Sequence, residues 1–138
     1  MPIAPFFNRQ DPNCPKFSIK NLKLDDNTAK SIACLIPFLV DVVEVELKNN
    51  SITDNIAGAI AIACFANPKI DRITIAYNYL RGGFTKTFQA LTIEAPLKIQ
   101  YINLMGSIND PQHVRPIAKG FDSMECLKSL DLSGCALD

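Results

Sequence analysis

The chain has 138 residues, 48% of them apolar and 20% charged, with 14 Lys and Arg set against 14 Asp and Glu. That length fits one domain, and the charge balance excludes the basic excess on which nucleic-acid and membrane-surface proteins depend. The longest apolar runs, 32–40 and 56–66, fall well short of the roughly 20 residues that span a bilayer.

Residues 1–18 stand apart. Pro2, Pro5, Pro12 and Pro15 disfavour helix and central strand there, and the opening MPIAPFFNRQD lacks the basic start of a secretory signal. This segment reads as an extended lead-in, and 19–138 as the folded domain.

From there one grammar repeats. Ile19-Leu22-Leu24-Asn27 opens it, followed by a helix over about 28–39 with Ile32, Leu35, Ile36 and Leu39 on one face. Next comes Val42-Val45-Leu47-Asn50-Ile52. Within it Val43-Glu44-Val45-Glu46-Leu47 alternates apolar and polar, as a half-exposed strand does. Thr53-Asp54-Asn55 supplies turn and N-cap, Ile56, Ile60, Ala63 and Cys64 line one helical face, and Pro68 stops the helix. The unit recurs as Ile70-Ile73-Ile75-Asn78-Leu80, a Gly82-Gly83 turn, a helix through Phe84, Phe88 and Leu91, and Pro96. Ile99-Ile102-Leu104 follows, with Ser107 in the Asn position. Asp110-Pro111 then opens a helix carrying Val114, Ile117 and Phe121, with proline at the first turn where its missing N–H costs nothing. Leu127-Leu130-Leu132-Cys135-Leu137 is the last copy. With Leu24, Leu47, Ile75, Leu104 and Leu132 as markers, the steps are 23, 28, 29 and 28 residues.

A fixed period that switches between strand and helix patterning predicts parallel strands joined by helical crossovers, curved so that the strands lie on the inner side. The Asn of each copy stands where the chain leaves the sheet. A buried Asn there can serve backbone groups of its own and the adjacent turn, so Asn27, Asn50 and Asn78 are expected to form a structural ladder. The ladder should weaken at Ser107 and Cys135. The last copy stops at Leu137-Asp138 with no helix behind it, so an uncapped edge is expected, covered by further chain or by another subunit.

Few residues suggest chemistry. Cys14, Cys34, Cys64, Cys126 and Cys135 are odd in number and show no C-x-x-C spacing, which argues against a disulfide framework and a zinc site. Cys34, Cys64 and Cys135 read as small buried hydrophobes in a reducing, cytoplasmic setting. His113, the one histidine, falls in the first turn of a helix behind the sheet and reads as a surface residue. Arg81-Gly82-Gly83-Phe84-Thr85-Lys86 lacks the phosphate-loop spacing, and turn chemistry accounts for it. Asn49-Asn50-Ser51 matches a glycosylation acceptor, but Asn50 belongs to the ladder.

The inner strand face carries the candidate binding residues: Glu44, Glu46, Arg72, Thr74, Tyr77, Gln100, Tyr101, Asn103 and Asp131. Lys20, Asn21, Lys23, Val43, Asp71, Lys128 and Ser129 share the outward positions. Tyr and Arg are the types enriched at interface hot spots, and mixed charge suits a protein partner better than nucleic acid. Glu44 is expected beside Arg72, and Lys23 beside Glu46.

The eleven-residue pattern resembles the core of the leucine-rich repeat family, L-x-x-L-x-L-x-x-N/C-x-L, and its step is similar to that of the ribonuclease-inhibitor-like branch. Ser107, Asn109 and the short first step depart from it. The resemblance implies an α/β leucine-rich-repeat solenoid, a horseshoe arc with parallel strands on the concave face and α-helices on the convex face. It implies a protein-interaction or scaffold module that binds a protein partner through the concave face, with no catalysis, cofactor or metal and no nucleic acid or membrane as partner. Two alternatives accompany it. One is a structural subunit of a large assembly such as an axonemal complex; the other is a GTPase-activating accessory protein, for which Arg81 is the candidate.

Overall fold

The computed structural model describes residues 16–94, 99–121 and 124–136. The Pro-rich segment through Pro15 with Cys14, the helix-ending Pro96, and Leu137-Asp138 lie outside the described residues. Five strands alternate with four α-helices: β1 (Lys16–Lys20), α1 (Asp26–Leu35), β2 (Glu44–Lys48), α2 (Asp54–Ala66), β3 (Arg72–Thr74), α3 (Gly82–Glu94), β4 (Tyr101–Asn103), α4 (Pro111–Phe121) and β5 (Ser129–Asp131). All pairings are parallel and the strand order follows the chain, so each helix carries the backbone one strand further in the same direction. Each helix packs on the next: α1 on α2, α2 on α3 and α3 on α4.

The register overturns the reading of the first unit. Phe17 pairs with Val45, Ile19 with Leu47, Val45 with Ile73, Ile73 with Ile102 and Ile102 with Leu130. The steps from Phe17 are therefore 28, 28, 29 and 28, without the short first one. Residues 16–18, assigned to the lead-in, begin β1. Leu22, 40% exposed, occupies the ladder position, while Asn27 is exposed in the first turn of α1. Ile19, Leu22 and Leu24 imitate the apolar spacing of the pattern five residues late. What fixes the alignment is that Phe17 and Ile19 are the side chains that become fully buried.

The core lies between sheet and helices. Phe17, Ile19, Val45, Leu47, Ile73, Ile75, Ile102 and Leu104 point into it from the strand segments and meet Ile32, Ile56, Ile60, Phe84, Phe88 and Ile117 from the helices. Burial of such side chains stabilises by about 1.5–3 kcal/mol each before entropy is counted. α2 is apolar almost all round because it is flanked by helices as well as by the sheet. Ala57, Ala61 and Gly58 let those neighbours approach, and a Cβ at Gly58 would stand 3.5 Å from Thr87. In α1, Asp25 caps the Thr28 amide at 2.7 Å, and the helix tightens into a 3-10 turn at Ile36–Phe38, where Pro37 lacks an N–H. Cys34, expected in the core, is exposed, because the buried stripe of α1 runs through Ala29 and Ile32.

A left-handed residue follows each strand: Asn21 (φ 58°), Asn49 (54°), Tyr77 (55°), Gly106 (65°) and Gly134 (72°), at the same spacing as the strands. It turns the chain out of the sheet. Asn and Gly adopt this conformation readily, whereas Tyr77 does so at a cost of about 1–2 kcal/mol. Its ring lies against the neighbouring turn, where a Cβ on Gly106 would come within 2.6 Å of Tyr77 Cδ1. Gly106→Ala should therefore lose about 2 kcal/mol in urea denaturation, and a Tyr77→Asn background should restore part of that loss. Equal losses in both backgrounds would show that the ring contact is not the cause.

Candidate functional site

The face of the sheet opposite the helices is uncovered by any described element. Two rows of its side chains cross all five strands, and a shorter one, Lys20 beside Lys48, follows on β1 and β2. Lys16, Glu44, Arg72, Tyr101 and Ser129 form the first; Ser18, Glu46, Thr74, Asn103 and Asp131 form the second. Neighbours within a row are about 4.8 Å apart at the backbone.

Glu44 stands beside Arg72 in the register, but its charge goes to Lys16, 3.7 Å away. Arg72 lays its guanidinium over the Tyr101 ring, 4.0 Å from the centroid, and approaches Asp71 at 3.8 Å. Cation and ring hold each other flat across β3 and β4. Asn103 accepts the amide of Met105 at 2.9 Å and Asp131 that of Ser133 at 2.8 Å, so both are tied to the turn that follows their strand. The bonds from Ser133 hold the Asp131 carboxyl below its ordinary value. Thr74 is buried among its neighbours.

Two candidates fall outside the rows. Gln100 precedes β4 at the leading edge of the sheet, where its carbonyl accepts the amides of both Lys128 and Ser129. Tyr77 sits in the turn beyond β3, half-exposed, its hydroxyl 2.8 Å from Met105 Sδ. Lys23 is displaced as well: the residue opposite Glu46 on β1 is Ser18, because the first unit sits five residues earlier than its apolar spacing suggested.

Glu46 is the unusual member. Its side chain is 3% exposed although charged, and three lysines surround it: Lys16 Nζ at 2.6 Å, Lys20 at 3.0 Å and Lys48 at 3.6 Å. Burial pushes the carboxyl up, but hydrogen bonds from Lys16 and Lys20 and the charges of Lys16 and Lys48 outweigh it, leaving the group below its ordinary value. A lowered folded value means that the unfolded chain takes up the proton first. The contribution to stability is thus full above the ordinary glutamate range, near 4.3, and disappears as pH falls through the lower folded value. Glu46→Gln should accordingly flatten the acid limb of stability against pH in chemical denaturation. Superimposable pH profiles for the two proteins would contradict the assignment.

Behind the sheet exit, polar side chains tie each unit to the previous one. Asn50 donates to Ile19 O at 2.9 Å and accepts Leu22 N at 3.0 Å. Asn78 donates to Leu47 O and Ala76 O and accepts Asn50 N and Ile52 N, at 2.9–3.2 Å. Ser107 donates to Ile75 O at 2.6 Å and accepts Asn78 N at 3.1 Å; Cys135 reaches Leu104 O with sulfur alone, at 3.2 Å. A third buried amide, Asn67, escaped the sequence reading. It donates to Ile36 O and Leu39 O and accepts Lys69 N, closing the ends of two successive helical segments. The Asn-Pro step that ends α2 was its one signal.

The loop at Arg81 holds an internal anion. The amides of Arg81 and Gly83 bond to the Asp54 carboxylate at 2.5 and 2.9 Å, so the start of α3 is capped by the unit before it. His113 lies in the first turn of α4, 4.0 Å from Asp110. Among the described residues no group of three or more His, Cys, Asp or Glu could hold a metal ion, and no helix is long and apolar enough to cross a membrane.

These features define a repeat-like fold of parallel strands and helices, with one sheet face that helices cover and one that no described element covers. No protein-family model and no curated protein matches the chain. Among solved structures it is similar to that of leiomodin-1 actin-binding site 2, with a TM-score of 0.68 at 23% identity, over 88% of this chain and 72% of that one. The likeness shows the fold.

Proposed function

We propose that this chain is a leucine-rich-repeat solenoid of the ribonuclease-inhibitor-like kind, acting in the cytoplasm as a protein-binding module without a catalytic step of its own. In this reading the sheet lines the concave side of an arc and the helices its convex side. The observation that carries it is the Arg72–Tyr101 stack, set in the middle of a face that no described element covers and whose polar neighbours are already held by Lys16, Met105 and Ser133. A planar cation on an aromatic ring, fixed before any partner arrives, is the kind of feature that dominates protein interfaces at low entropic cost. Free thiols at Cys34 and Cys126 on the surface suit a reducing compartment. The balanced charge of the whole chain favours a protein partner over nucleic acid.

The test is retention of binding proteins from native extract on the intact protein and on Arg72→Ala/Tyr101→Ala. Because the similar structure is an actin-binding site, actin filaments are the first purified ligand to offer. Loss of each hot-spot side chain should weaken binding by roughly 2 kcal/mol, about thirtyfold. Undiminished retention by a folded double variant would remove the sheet face from consideration.

A further inference from the structure

We propose that the depression across β3, β4 and β5, between the Tyr101 ring and the Asp131 carboxylate, receives an arginine side chain of the partner protein. The inference rests on the reading of the sheet face as a binding surface and names what one part of that surface recognises.

The depression has a volume of about 210 Å³. Small-molecule sites run from about 300 to 1,000 Å³, so this one suits a single side chain. Its charged lining is Glu44 and Asp131 against Arg72, two negative groups to one positive. Counting their ion-pair partners, Lys16 beside Glu44 and Asp71 beside Arg72, leaves that difference unchanged. Asp131 carries it. Among the described residues this carboxylate takes its hydrogen bonds from Ser133 and forms no ion pair. Lys128, earlier on the same segment, stands about 10 Å away at the backbone.

The turn after β5 does not require the charge. Asn103, opposite Asp131 in the register, makes the same bond to the amide two residues on with a neutral side chain, at 2.9 Å against 2.8 Å. A carboxylate has about four acceptor sites, and the amide and hydroxyl of Ser133 fill two. The same bonds hold it below its ordinary value, so at neutral pH it is charged and fixed in place. Tyr101 supplies the second contact. Arg72 covers its ring from the β3 side, 4.0 Å from the centroid. On the β5 side the row continues with Ser129, exposed and too short to cover the other face. A guanidinium is flat and weakly hydrated, so it can lie on a ring and present paired N–H groups to a carboxylate at once; an ammonium does neither as well. Stacked there it would stand about 8 Å from Arg72 across the ring but about 3 Å from Asp131, so the attraction outweighs the repulsion. Ring and carboxylate are held beforehand, and little of their freedom is lost when the arginine arrives.

The probe is a fluorescein-labelled peptide of repeated Arg-Gly-Ser, with its citrulline counterpart as the neutral control, titrated by anisotropy against the full chain at low and physiological salt. The arginine peptide should bind, the citrulline one should not, and binding should weaken as salt rises. Asp131→Asn retains the kind of turn bond that Asn103 makes and should weaken binding about fivefold. Asp26→Asn, an equal charge change exposed on α1, should leave it unaltered. Thermal unfolding of both variants checks that the fold persists. Equal binding of both peptides, equal effects of the two variants, or no effect of Asp131→Asn would overturn the proposal. Retention of proteins from extract, measured with Asp131→Asn and with Arg72→Ala/Tyr101→Ala, separates the two readings. If the Arg72/Tyr101 variant loses its partner and the Asp131 variant keeps it, the arginine site falls and the binding face stands. If neither variant loses it, both fall.

Discussion

Asn78→Ala is expected to lower the unfolding free energy by about 3–4 kcal/mol in urea denaturation, a large share of the 5–15 kcal/mol typical of a domain. The side chain is buried and serves four backbone groups, donating to Leu47 O and Ala76 O and accepting from Asn50 N and Ile52 N. Alanine removes every one of these partners at once. The cost follows from stranding buried donors and acceptors, about 1 kcal/mol or more apiece. A gradient should run along the ladder. Asn50→Ala forfeits bonds to Ile19 and Leu22, one of them only half-buried, and should cost about 2 kcal/mol. Asn27→Ala, exposed in α1, should stay within about 0.5 kcal/mol. A loss below about 1 kcal/mol for Asn78→Ala would mean that the exit turns are held by something other than this amide.

Phe88→Ala should cost about 3–5 kcal/mol. Phe88 is fully buried on α3, edge-on to Phe65 of α2 with centroids 6.1 Å apart and an interplanar angle of 87°, and 5.4 Å from Phe84 one turn earlier. The ring joins two helices to each other as well as to the sheet, so its removal leaves a cavity that neither helix can close alone. Phe88→Leu fills most of that space and should cost about 1–1.5 kcal/mol. Similar losses for the two variants would indicate that the helices collapse into the gap and that the junction is less rigid than this packing implies.

The parallel strand and helix order was legible in the sequence because it rests on side-chain period, which is local. Val43 to Leu47 alternates, Ile56, Ile60 and Cys64 recur at helical spacing, and the step of 28 or 29 residues between copies aligns Val45 with Ile73 and Ile73 with Ile102. The pairing of Glu44 with Arg72 follows from the same count. The first unit misled because its apolar residues satisfy the pattern in two alignments, and spacing alone does not weigh which set becomes buried. Pairing with β2 decides it, through Phe17 on Val45 and Ile19 on Leu47.

The candidate face divides in the same way. Which residues point outward from β2, β3 and β4 is written in the alternation, since successive side chains take opposite sides of a strand. Which of them remain accessible is not. Glu46 is buried because Lys16 and Lys20 arrive from a strand some 30 residues away, Asp54 caps a helix 27 to 29 residues ahead, and Asn67 bonds to carbonyls 28 and 31 residues behind it. The sequence by itself determined the repeating unit and its period, which depend on the polarity of neighbours along the chain. Only the tertiary structure decided the start of the series, the lysines over Glu46 and the stacking of Arg72 on Tyr101, because each depends on side chains that the crossover helices bring together from different units.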